Sequence, residues 1–211
     1  MQTVPAVADE TKFRVRLERD SDPMSPRDWE NVGTMACWHS RYNLGDEQPT
    51  WQADVWLRDL AAEHVKAYDV NLISDENIQR ILDKHFLILP LYLFDHSGIS
   101  ISCAPFSCPW DSGQVGYIYC TKEEGLHECR SEETALKCLE TEVETYDQYL
   151  RGDIWGFIVE KWVGCAECGR GEWEEVDSCW GFYGTNVEEN GMLDHIDDAY
   201  HQMAIEAGRA A

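Results

Sequence analysis

Two apolar periods alternate along this chain, and together they restrict what it can fold into. Over residues 128–150, Leu136, Leu139, Val143, Tyr146 and Leu150 recur at spacings of three and four, the signature of a helix with one face in a core. Residues 187–207 repeat the pattern with Leu193, Ile196, Tyr200, Met203 and Ala207. Shorter helical stripes fall in 51–68, with Leu57, Leu60, Ala61 and His64, and in 75–86, with Ile78, Ile81 and Leu82. Between them lie β-branched and aromatic runs at 13–17, 87–94, 99–103, 115–120, 154–163 and 172–183, which predict strands. Pro90 places its run at a sheet edge or a bulge, because proline cannot donate to a ladder. Asp95, His96, Ser97 and Gly98 predict the turn of a hairpin. The expected architecture is α+β: a central antiparallel sheet packed with several amphipathic helices, one domain over residues 13–211 behind a loose tail of residues 1–12.

Charge limits what such a domain can meet. Forty Asp and Glu stand against 17 Lys and Arg, a net charge of -23, whereas a magnitude of roughly 2 to 8 already keeps a small domain soluble. Residues 1–100 hold 17 acids and 10 bases, residues 101–211 hold 23 and 7, so the excess lies in the second half of the sequence. Hydrophobic residues at 44% and aromatics at 11% still supply a core, which excludes a disordered chain. A negative field repels nucleic acid and anionic membrane and attracts basic protein grooves. On the 128–150 helix, Glu133, Glu140, Glu144 and Asp147 fall in one row beside the apolar stripe, about 20 Å long at the helical rise. Glu172, Glu174, Glu175 and Asp177 add a second acidic run. These eight carboxylates are the candidate partner-binding residues, and the partner chemistry they fit is a basic protein groove. Glu188, Glu189 and Asp194 suit a helix N-terminus and count for less.

Nine cysteines, an odd number, fit reduced thiols or metal ligands. No apolar run approaches the roughly 18 residues of a membrane span, and the first twelve residues lack the basic start of a secretion signal, so the expected location is the cytoplasm. Cys165 and Cys168, followed by Gly169, have the spacing of a zinc knuckle. Cys179 is the candidate third ligand, with Cys120, Cys129, His127 and His195 as other donors; a plain reduced turn is the alternative. No cofactor is expected unless zinc fills this knuckle. Asp95, His96, Cys108 and Asp111 supply the types of a nucleophile, base and orienting acid, which keeps a small cysteine- or metal-dependent enzyme as the alternative to a binding protein. Asp20, Asp22 and Asp28 offer hard oxygens, but the prolines around them favour a surface loop.

Three segments carry a resemblance. Residues 28–46, residues 105–119 with CysProTrpAspSerGlyGlnValGly, and residues 177–184 with AspSerCysTrpGlyPheTyrGly together resemble a family of uncharacterised proteins encoded by phages and other mobile elements. That resemblance implies a phage-borne protein in the host cytoplasm, and supplies no activity. In composition the chain is similar to acidic antirestriction and anti-CRISPR proteins that mimic DNA. What this implies is an inhibitor, not an enzyme, that evades host defence by binding a CRISPR effector or a restriction enzyme in place of DNA; a zinc-stabilised structural phage protein is the other alternative.

Overall fold

The computed structural model describes residues 12–65, 70–164 and 170–211. The described residues form seven strands and five helices, which confirms the α+β class. The single domain expected over residues 13–211 resolves instead into two compact units, one made of residues 1–24 and 152–211, the other of Ser25–Arg151. The single sheet likewise becomes two. The cause is the pairing of the first strand. β1 (Phe13–Arg19) lies antiparallel to β6 (Ile154–Gly164), from Phe13 opposite Lys161 to Arg19 opposite Trp155, so everything between them is an insertion.

In the split unit, β6 sits between β1 and β7 (Gly171–Tyr183). Trp155, Phe157, Val159 and Phe182 meet Val187, Met192, Ile196 and Ala204 in its core. Only α5 (His201–Ala210) of the helix expected over 187–207 is α-helical; Met192–Asp194 and Asp198–Tyr200 are single 3-10 turns. Gly191, at φ 82°, and the Asp197 side chain, which accepts from Ala199 N at 2.9 Å, break the run. On the sheet face away from that core, Glu160 accepts from Arg14 Nε at 2.6 Å and Arg16 Nε at 2.8 Å. Arg14 also lies over the Trp173 ring.

The inserted unit is a three-layer sandwich. Its sheet runs β2 (Thr34–Cys37), β5 (Ser112–Thr121), β3 (Phe86–Asp95), β4 (Ile99–Ser102), all antiparallel. One face packs Met35, Leu87, Leu91 and Ile118 against Ala135, Leu139, Val143 and Tyr146 of α4 (Glu132–Leu150), with α3 (Lys122–Cys129) beside it. The other face packs Phe86 against Ala61 of α1 (Ala53–Ala62) and Ile78 and Leu82 of α2 (Asp75–His85). The β3–β4 hairpin forms as expected. β3 is an interior strand and not an edge, but Pro90 lies in the stretch that β4 leaves unpaired, close to a register shift between Leu91 and Tyr92. Gly116 is required by a close approach: a Cβ there would stand 2.2 Å from the Ala36 carbonyl oxygen across β2 and β5. Among the described residues no helix is long and apolar enough to cross a membrane.

Candidate acidic groove

Helix α4 positions the groove. Arg130 takes a left-handed φ of 67° after α3, and the Ser131 side chain caps the new helix by accepting from Thr134 N at 3.1 Å. The expected helix over 128–150 therefore starts later, and α3 is separate. With Leu139, Val143 and Tyr146 fixed against the sheet, Glu140, Glu144 and Asp147 are held on one flank, facing β4 and the chain that follows it. They line a groove of about 850 Å³ with Leu89, Ser102, Cys103 and Phe106. Glu140 and Glu144 are exposed, one helical turn apart, with no ion-pair partner among the described residues. The Cys103 thiol senses them: burial first, then the charges of Glu140 and Glu144, push it up to about 11.

The other two acids of the row behave differently. Glu133 lies two turns earlier and pairs with Lys137 at 3.0 Å. Asp147 is half-buried and accepts from Ser100 Oγ at 2.6 Å, Ile101 N at 2.9 Å and Arg151 Nε at 2.8 Å. It caps the outer edge of β4 and blunts that edge against pairing with another strand. Its lone pairs are spent inside the molecule, so the groove's free charge comes from Glu140 and Glu144.

In the split unit, the register of β7 against β6 places Glu172, Glu174 and Asp177 on one face, opposite Val163, Lys161 and Val159. A register shift after Val159 turns Glu175 to the face of Glu160, where it accepts from Ser178 Oγ at 2.7 Å. All four are exposed. The helix acids and the strand acids thus belong to different units, and each set stands as its own surface.

The residue types of the enzyme alternative do meet. Asp111 Oδ2 lies 3.6 Å from Cys108 Sγ and 3.3 Å from His96 Nδ1, while Asp95 holds Arg41 and accepts from Tyr42 at 3.2 Å. The order is inverted for nucleophilic catalysis, because the carboxylate stands beside the thiol where the imidazole should be. Cys165 and Cys168 lie outside the described residues. Cys179 is partly buried on the Phe157 side of β7, and among the described residues no group of three or more His, Cys, Asp or Glu is placed to hold a metal.

Two features escaped the sequence. Arg27, almost fully enclosed, donates to Asp46 at 2.9 and 2.6 Å, to Glu142 at 3.0 Å and to the Gly33 carbonyl at 2.6 Å. Glu142 also takes Val32 N at 2.7 Å and Gly33 N at 3.2 Å. Burial alone would lower the Arg27 pKa, but the Asp46 and Glu142 hydrogen bonds outweigh it and hold the group above its ordinary value. The second is a contact of Cys129 with Cys138. Helical spacing exposes the row of Glu140 and Glu144; nothing local marks Glu142, on the opposite flank of the same helix. No family model matches this chain, and neither a curated protein nor a solved structure does.

Proposed function

We propose that this chain is an acidic inhibitor that binds a basic, nucleic-acid-handling surface of a host protein, such as a CRISPR effector or a restriction enzyme, in place of DNA. One observation carries this reading: Glu140 and Glu144 line the α4–β4 groove with no ion-pair partner among the described residues, in a chain with net charge -23. Their rise along the helix is about 6 Å. Two carboxylates at that spacing present a Lys or Arg with the charge it would meet on a phosphate backbone, and the apolar floor of Leu89 and Val143 can take its methylene stem. Duplex DNA places one charge per roughly 1.7 Å of axis, so the groove is a sparse copy, and protein contacts around it must add the remaining affinity. The exposed β7 acids extend the same chemistry on the split unit.

The test is a purified panel of CRISPR nucleases and restriction enzymes, with binding measured from low to high salt and in competition with duplex DNA. Binding is expected to fall steeply with salt, to be competed by DNA, and to be lost in the double variant Glu140→Lys, Glu144→Lys. Binding that survives this charge reversal would falsify the groove as the contact surface. Binding that DNA does not compete removes mimicry.

A further inference from the structure

We propose that Cys129 and Cys138 form a reversible dithiol–disulfide site joining the end of α3 to the second turn of α4. Their sulfurs lie 3.1 Å apart, Cys129 donating to Cys138, close enough that a small side-chain rotation reaches the covalent distance of about 2.05 Å. The backbone sets this up. α3 ends at Cys129, Arg130 reverses the chain at φ 67°, and Ser131 starts α4, which brings Cys138 back over the last turn of α3. The two helices pack so closely that a Cβ on Gly125 would be 3.0 Å from the Ala135 Cβ. Both thiols are partly exposed, so a reagent in solution reaches them, whereas the neighbouring Cys120 is buried.

The co-reactant is a low-molecular-weight disulfide such as oxidised glutathione. One protein thiolate attacks a sulfur of the reagent, forming a mixed disulfide and expelling one glutathione thiolate. The second protein thiolate then attacks the protein sulfur of that adduct, closing the Cys129–Cys138 bond and expelling the other glutathione. Two electrons pass from the protein sulfurs to the reagent, and the two cysteine protons end on the two released thiols. The bond to Cys138 first, and then burial, push the Cys129 thiol up to about 11. The thiolate is the attacking form in both steps, so closure accelerates as pH rises.

The whole chain is equilibrated with a series of reduced and oxidised glutathione mixtures, quenched in acid, alkylated and digested with trypsin. Cleavage after Arg130 and Lys137 separates the two cysteines onto different peptides. At the oxidising end the expected product is one cross-linked pair, lighter by two hydrogens than the reduced peptides, with closure faster at higher pH. Cys129→Ser and Cys138→Ser are each expected to stop at a glutathione adduct on the remaining cysteine. Recovery of the two wild-type cysteines as separate adducts or free thiols overturns the proposal, and so does a cross-link from either one to Cys120.

Discussion

The two units carry nearly equal excess charge, and each turns some of its acids inward while leaving others in solvent. The split unit holds 18 acids and 7 bases, and the inserted unit, over a longer stretch of chain, holds 22 and 10. In the inserted unit Asp46, Glu142 and Asp147 turn inward: Asp46 and Glu142 clamp Arg27, and Asp147 caps the edge of β4. The split unit internalises Glu160 between Arg14 and Arg16 and leaves Glu172, Glu174 and Asp177 in solvent on β7. Net charge therefore does not tell which carboxylates are available to a partner. Some of the acids are structural, and the free ones are those whose neighbours offer neither a backbone N–H nor a guanidinium.

The clamp gives the sharpest contrast. Glu142→Ala leaves Arg27 enclosed with one carboxylate and strands the Val32 and Gly33 amides, so unfolding in urea is expected to show a loss of about 3–5 kcal/mol. Glu174→Ala on the exposed face of β7 is expected to stay within about 0.5 kcal/mol of the parent. Equal losses for the two would erase the distinction between inward and outward acids.

Asp147 comes next. Asp147→Ala strands the Ile101 N–H and the Ser100 hydroxyl, at an expected cost of about 1–3 kcal/mol. It also opens the β4 edge to pairing with a second chain, so light scattering is expected to show more self-association than in the parent. Asp147→Asn keeps an acceptor oxygen and is expected to return the scattering to that of the parent. Self-association of both variants alike would show that the carboxylate, and not the hydrogen-bond acceptor, protects the edge.

Glu160 is the split unit's counterpart. The hydrogen bonds from Arg14 and then Arg16 hold its carboxyl at about 2, below the ordinary 4.5. A depressed carboxylate contributes stability that is complete above the unfolded value and lost as pH falls through the folded one. The window is therefore pH 4.5 down to about 2. Glu160→Gln is expected to remove about 1–2 kcal/mol at neutral pH and to flatten the acid limb of the stability curve. The figure stays well under the full linkage value because the Arg14 and Arg16 side chains are 41% and 39% exposed and water screens them.

Strands β3, β5 and β6 were legible because each packs a dense apolar face: the runs at 87–94, 115–120 and 154–163 lie inside them. β2 was not, since ThrMetAlaCys is short and has one β-branched residue. α3 buries only Gly125 and so has no stripe to find, although its capping box of Thr121 and Glu124 is written in the sequence. The apolar spacing that predicts a helix over 187–207 continues through Asn190 and Gly191, where the helical backbone does not. At the groove, periodicity placed Glu140 and Glu144 correctly on one flank. It could not separate them from Asp147, because the groups that bind Asp147 come from β4, 46 and 47 positions away. Glu142 was out of reach for the same reason, its guanidinium partner lying 115 positions earlier.

The smallest expected effect tests the field of the groove without any partner. Cys103 sits between burial, which dominates its raised pKa, and the charges of Glu140 and Glu144, which add to it. Glu140→Gln with Glu144→Gln leaves the burial and removes the charges. The pH profile of Cys103 alkylation, followed by mass spectrometry of its peptide, is expected to shift to lower pH, with a rate at neutral pH about 2- to 5-fold faster. Raising salt on the parent is expected to produce part of the same shift, because exposed charges are screened. Glu172→Gln with Glu174→Gln, in the other unit, is expected to leave the profile in place. If the helix pair also leaves it in place, Glu140 and Glu144 set no local potential over the groove, and a basic side chain would have no electrostatic reason to enter there in preference to the exposed face of β7.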